Sequence, residues 1–160
     1  MDIQHCCCFT GHRPEKLHVA ESAVLKQLDA EITTALEDGY TTFISGMAKG
    51  VDIWAAELVL ERRRLSPSIN LICAVPYEGF GLYWKDGWTE RYKRIVYKAD
   101  AVEYICAGFS RSAYQRRNEW MIDRASLLIA AYTGESGGTR NTIRYAERTG
   151  RTIRYLQLTN

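Results

Sequence analysis

Apolar residues fall along this chain in two alternating patterns. Continuous runs of strand length occupy 3–10 (IQHCCCFT), 42–45 (TFIS), 69–75 (INLICAV), 101–106 (AVEYIC), 126–132 (SLLIAAY) and 152–158 (TIRYLQL). Between most of them the apolar positions recur at helical spacing, through 20–38, 50–64, 87–98, 113–124 and 138–149. Strand then helix repeats nearly throughout. That alternation predicts a Rossmann-like α/β fold in three α/β/α layers. The central sheet is expected to be mostly parallel, because strands covered on both faces read as short unbroken apolar runs.

Glycines punctuate the pattern. Gly39 and Gly150 each follow a helical stretch and read as C-terminal caps. No internal repeat is present, and the one long irregular connection, 77–90 (YEGFGLYWKDGWTE), is rich in aromatics and glycine. In an open parallel sheet ligands bind beyond the C-terminal ends of the strands. Four connections leave that edge: TGHRPEKL, SGMAKGVD, PYEGFGLYW and TGESGGTRN. They carry most of the glycines, which suits a phosphate site as well as ordinary tight turns.

Composition narrows the class. A chain of 160 residues with 46% hydrophobic and 25% charged residues and only three prolines is expected to fold as one globular domain spanning 1–160, without disordered linkers. No window approaches the ~18 apolar residues of a membrane span, and MDIQHCCCFTGHRP lacks the basic start of a signal peptide, so a cytoplasmic protein without membrane partners is expected. The five cysteines, Cys6, Cys7, Cys8, Cys73 and Cys106, all fall in strand-like runs. Neighbouring strand residues face opposite ways, so the triplet reads as core rather than as a metal site, and no metal or cofactor is expected.

Net charge is +2 but unevenly spread. Residues 111–160 carry nine basic against four acidic side chains, whereas residues 1–110 carry 12 against 15. The basic last third favours an anionic ligand.

The loops suggest where that anion sits. In SGMAKGVD a strand hands over to a helix through Ser45, Gly46, Met47, Ala48, Lys49 and Gly50. The helix start offers unpaired N–H groups, Lys49 adds charge, and Asp52 in the first turn caps the helix or contacts a sugar hydroxyl. The spacing is neither that of a Walker A loop nor G-x-G-x-x-G. TGESGGTRN repeats the device with Gly134, Ser136, Gly137, Gly138 and Thr139, and places Arg140 at the helix mouth. Arg140, Arg144 and Arg148 recur every four residues as a basic stripe. After the first strand, Gly11, His12 and Arg13 offer an acid or base and an anion contact. Tyr77 and Trp84 suit either stacking on a base or core packing. Arg116, Arg117 and Asn118 are expected at a helix start, with Asp123 and Arg124 as a structural pair at its far end.

Three of these segments, in order, resemble the DprA/Smf and LOG superfamily of Rossmann-like nucleotide-binding domains, known as SLOG. ISGMAKGVDIWAAELVL is similar to the DprA signature ISG-x-A-x-G-[IV]-D-x-x-A at Ile44, Ser45, Gly46, Ala48, Gly50, Val51, Asp52 and Ala55. RRNEWMIDRAS matches RRNRIIAGLS at Arg116, Arg117, Asn118 and Ser126. SGGTRNTIRYAERTGR matches SGS-x-x-T-x-x-x-A-x-x-x-GR at Ser136, Gly137, Thr142, Ala146, Gly150 and Arg151. TGHRP and WAAE look most like the YpsA-like branch of small bacterial and phage proteins. The resemblance covers roughly residues 6–155 and implies a nucleotide-type ligand over Gly46, Gly50 and Gly137.

Departures from the superfamily shape the function. LOG enzymes, which cleave the ribose–base bond of cytokinin nucleoside monophosphates, carry P-G-G-x-G-T-x-x-E. Aligned on Gly137 and Gly138, this chain has Arg140 and Asn141 in place of Gly-Thr and Arg144 in place of the Glu. The sequence therefore reads first as a domain that senses or sequesters a phosphate-bearing nucleotide, with Arg13 and Arg117 as charge partners. A nucleotide N-glycosidic hydrolase using Asp52 or Glu57 is the alternative. DprA-like single-stranded DNA binding through Arg140, Arg144, Arg148 and Arg151 is another. Relatives of both kinds imply a homodimer.

Overall fold

The computed structural model describes residues 3–158. After a 3-10 turn at Ile3–His5, the strands are β1 (Cys6–Gly11), β2 (Thr42–Ser45), β3 (Asn70–Tyr77), β4 (Ala101–Cys106), β5 (Leu127–Ala131) and β6 (Thr152–Tyr155). The helices are α1 (Pro14–Leu17), α2 (Glu21–Glu37), α3 (Val51–Leu65), α4 (Trp88–Lys98), α5 (Ala113–Asp123) and α6 (Gly138–Arg148). The strands form one sheet in the order β4-β3-β2-β1-β5-β6, and every pairing is parallel. This is the Rossmann-like α/β architecture that the alternation predicts.

Two apolar layers sandwich the sheet. One joins α2, α3 and α4 to the face bearing Cys7, Phe9, Phe43 and Leu71, and the other joins α5 and α6 to the face bearing Cys6, Cys8, Ile44 and Leu128. The cysteine triplet thus splits between the faces, as strand geometry requires. Burial raises the pKa of the Cys7 and Cys8 thiols, and pushes that of Cys73 up to about 12.

The caps follow the sequence. Past α2, the Gly39 amide donates to Leu36 O and the Tyr40 amide to Ala35 O; past α6, the Gly150 amide donates to Glu147 O and the Arg151 amide to Ala146 O. Both are Schellman closures with glycine at positive φ. Boundaries shift where local bonding wins: residues 3–5 form a turn before β1, and β3 runs on to Tyr77 because Tyr77 still pairs with Cys106. The short helix α1, with Pro14 in its first turn, is too brief to leave a periodic signal. None of the helices among the described residues is long and apolar enough to cross a membrane.

From β1 the chain moves to one side through β2, β3 and β4, then returns to the other side of β1 as β5. The loops after β1 and β5 therefore diverge at a topological switch point, where an open parallel sheet leaves a crevice.

Candidate functional site

That crevice holds a cavity of about 420 Å³. Its walls are Gly11, His12, Arg13 and Lys16 after β1, Ala48 and Asp52 around the start of α3, Tyr114, Arg117 and Asn118 on α5, and Ser136, Gly137, Gly138 and Thr139 at the start of α6. A second cavity of about 300 Å³ adjoins it, lined by Lys49, Phe80 and Trp84 and by Arg13, Ala48, Tyr114 and Arg117, which border both. Together they form a cleft with a polar lobe and an aromatic lobe.

The two glycine loops differ in what they meet. In SGMAKG the backbone is packed against protein. Gly50 is buried at φ +95°, and a Cβ there would stand 2.9 Å from Cδ of Pro14. Gly46 is buried too, and its carbonyl accepts a hydrogen bond from Arg117 Nη1. Ser45 Oγ donates to Asp52 O at 2.8 Å and accepts from the Met47 amide, while the Met47 side chain lies in the core. Ser45, Gly46, Met47 and Gly50 thus line neither cavity. The expectation that the ligand lies over Gly46 and Gly50 meets an obstacle here: α1 and α5 already occupy the space those glycines leave.

The β5–α6 turn is open instead. Ser136, Gly137 and Gly138 are exposed, and no side chain caps α6 at Gly137. A Cβ on Gly137 would touch nothing within 4 Å, and one on Gly138 would have only Asn118 Nδ2, at 3.9 Å. Free amides at a helix start, facing a cavity, attract an anion. Arg140 is half-buried beside this turn, and Gly134 is exposed at positive φ before it; neither lines the cavity.

Six polar side chains that line the polar lobe are buried, Thr10, His12, Asp52, Arg117, Asn118 and Thr139, and three of them are titratable. His12 stacks on Tyr132 with ring centroids 5.6 Å apart, and its Nε2 has no partner. Burial lowers its pKa from 6.5, with Lys16 adding to the effect and Glu135 opposing it. Asp52 accepts the Ala48 amide on Oδ2 at 3.2 Å, and its Oδ1 has no partner. This carboxyl does not cap α3; it reaches back to fasten the loop before it. Burial pushes its pKa up to about 6, against the lowering effects of Arg117 and the Ala48 amide. Arg117 itself donates through Nε to Asn118 Oδ1 at 2.7 Å and through Nη1 to Ala74 O at 3.5 Å. It is both a clamp across β2 and β3 and a wall of both lobes.

Other sequence candidates lie elsewhere. Glu57 is paired with Arg91 through two bonds, 3.0 and 2.5 Å, and lines a separate cavity between α3 and α4 with Arg63 and Arg94. Tyr77 packs edge-on against Phe80, Phe109 and Tyr114, outside both lobes. Trp84 does line the aromatic lobe, with Lys49 Nζ 5.8 Å from its ring centroid. Arg116, Arg117 and Asn118 stand a turn inside α5 rather than at its start. Asp123 accepts from Tyr145 and Arg124 stacks on Trp120, so they are not a pair. Arg140, Arg144 and Arg148 all lie on α6, with Arg148 over the ring of Tyr145, whereas Arg151, past the end of the helix, donates to Ile122 O. Lys16 and Phe80 line the cleft from two of the connections expected at this edge, TGHRPEKL and PYEGFGLYW, although no motif singles either out, and Tyr114 reaches it from α5 with no motif to mark it.

Known proteins resemble this chain in sequence or in fold. A UPF0398 protein of Bacillus cereus strain G9842 is 30% identical over 138 residues, 81% of this chain and 75% of the relative. The uncharacterized SPbeta prophage-derived protein YoqJ of Bacillus subtilis is 34% identical over 119 residues, 67% of this chain and 70% of its own. Among solved structures, DNA processing protein A (DprA) of Streptococcus pneumoniae superposes with a TM-score of 0.65 at 17% identity, over 95% of this chain and 50% of that one. DprA of Helicobacter pylori, in a structure describing its single-stranded DNA binding mode, gives a TM-score of 0.66 at 18% identity over 98% of this chain. This chain thus spans half of the first DprA chain and 66% of the second. Residues 7–159 match the profile of the YspA SLOG family, to which the chain belongs.

Proposed function

We propose that the cleft binds a phosphate-bearing nucleotide and that the chain, read as one SLOG-type unit over 1–160, senses or sequesters it. One observation carries this reading. The uncapped glycine turn at the start of α6 opens into the same cavity as Arg13, Lys16 and Arg117. Backbone amides with a positive helix end and nearby cations are what a phosphate needs. Phe80, Trp84 and Tyr114 offer the adjoining lobe to a base.

The test is a thermal-shift series with AMP, ADP-ribose and NAD, each mixture then analysed by mass spectrometry. A ligand at 100 times its Kd adds about 2.7 kcal/mol of stability. Stabilisation with intact nucleotide is expected. Stabilisation with release of free base would make the protein a nucleotide N-glycosidic hydrolase, with Asp52 as the carboxylate, since Glu57 is held by Arg91 away from the cleft. No shift with any nucleotide would overturn the reading.

Single-stranded nucleic acid is the second reading, favoured by the DNA binding of the Helicobacter pylori protein whose fold this chain shares. The same amides and cations would hold a backbone phosphate. Such binding should weaken steeply as salt rises, in step with the number of phosphates neutralised.

A further inference from the structure

Asp52 poses a specific chemical problem. The residue is only 7% exposed, it lines the polar lobe, and its Oδ1 lacks any hydrogen-bond partner. A buried carboxylate oxygen left unpaired is costly, so such a group calls for an explanation. Its place in the cleft supplies one. Asp52 holds the amide of Ala48 and lies beside Arg117 over Gly46, and Ala48 and Arg117 are residues that border both lobes. The carboxylate therefore stands at the junction between the anion-attracting turn of α6 and the aromatic lobe.

A ligand spanning the two lobes puts its middle over that junction. In a nucleotide the middle is the sugar. An ionised carboxylate accepts hydrogen bonds and repels phosphate, so the fitting group is a hydroxyl donor. Resting on the nucleotide reading of the cleft, we infer that Asp52 reads the ribose hydroxyls and makes the site selective for ribonucleotides over deoxyribonucleotides. A site built to bond a hydroxyl rejects the analogue that lacks it, because its own polar group is then left unpaired. His12, whose Nε2 is also unpartnered, lines the same lobe from the loop after β1.

The experiment measures Kd by calorimetry for AMP, 2′-deoxy-AMP, 3′-deoxy-AMP and IMP. At least one deoxy form is expected to bind about 10-fold or more weakly than AMP, as the loss of a bond to a charged group implies. IMP, which lacks the exocyclic amine, should stay within about threefold of AMP, below the effect of one hydrogen bond. In Asp52→Asn the ribo-to-deoxy ratio should collapse toward one. Should that variant fail to fold, the wild-type ratio measured across pH serves instead. It should shrink as Asp52 takes up its proton, while protonation of the phosphate or of His12 affects both nucleotides alike. Equal binding of AMP and both deoxy forms would overturn the inference and leave the nucleotide reading standing. A penalty for IMP as large as that for deoxy-AMP would overturn it in favour of base recognition. Failure of every nucleotide to bind would remove the nucleotide reading and this inference with it.

Discussion

Arg117 and Asp52 both close over Gly46 in the β2–α3 turn. A Cβ on Gly46 would stand 2.9 Å from Cζ of Arg117 and 2.9 Å from Oδ2 of Asp52. The glycine is the gap through which a guanidinium from α5 reaches the carbonyls of Gly46 and Ala74 while a carboxylate from α3 lies alongside. Two segments of the chain that look like separate motifs, ISGMAKGVD and RRNEW, are thus halves of one buried arrangement.

Gly46→Ala tests this directly. The added methyl must displace groups fixed by buried hydrogen bonds, and such overpacking typically costs about 1–3 kcal/mol. Urea denaturation should show a loss of that size, and a variant as stable as wild type would show that the guanidinium and carboxylate are free to move apart.

Asp52 sets a sign for the dependence of stability on pH. Desolvation raises its pKa from 3.8 to about 6, so the folded protein binds the proton at pH values where the unfolded chain has released it. Stability therefore falls as pH rises between those two values, and the full penalty is present above the upper one. At 1.36 kcal/mol per unit the effect is about 3 kcal/mol. Asp52→Asn has no such proton to lose. Relative to wild type it should gain about that much between pH 4 and pH 7 in denaturant titrations, whereas parallel curves would mean that Asp52 titrates alike in both states. His12, whose lowered pKa acts in the opposite sense, is common to both proteins and cancels in the difference.

Much of this fold was legible because the apolar pattern is strong. β2 and β4 lie where their apolar runs do, and Gly39 and Gly150 end α2 and α6 as their positions imply. The cleft was legible only in part. His12, Arg13, Ala48, Asp52 and Ser136–Thr139 come together because parallel strands deliver their following loops to one edge. Sequence could not say which glycine loop faces open space. Gly50 and Gly137 both sit at positive φ before a helix, and the difference is a distant residue, Pro14, packed on one of them. Tyr114 was invisible for a similar reason, since no local signal says which exposed face of a helix borders a crevice.

Glu57 shows how an isolated carboxylate misleads. In sequence it shares a helical stretch with Asp52, yet in the fold its oxygens are taken by Arg91, which also sits 4.7 Å over the ring of Trp88. Both charged side chains are partly exposed, so the pair contributes no more than about 1 kcal/mol. Glu57→Gln should lower stability by that amount or less and leave the calorimetric Kd for AMP unchanged. A tenfold loss of affinity would return Glu57 to the ligand site.

The two glycine loops should separate cleanly when each receives a side chain. At Gly50, valine would be forced to φ +95° with its Cβ against Pro14, a conformation that β-branched residues avoid. Gly50→Val is therefore expected to lose stability, by about 2 kcal/mol or more from strain and overpacking together, whatever it does to ligands. At Gly138 the added Cβ meets only Asn118 Nδ2, at 3.9 Å, so Gly138→Val should fold with a melting temperature near that of wild type. Its branched side chain would nevertheless stand on the exposed turn that opens into the polar lobe. AMP affinity should fall at least tenfold, the loss expected when charge-assisted amide contacts to a phosphate are blocked. The pair of variants reads stability and binding independently. Loss of affinity in a stable Gly138→Val assigns the phosphate to the start of α6, whereas full affinity there, with loss confined to a folded Gly50→Val, would return it to the turn between β2 and α3.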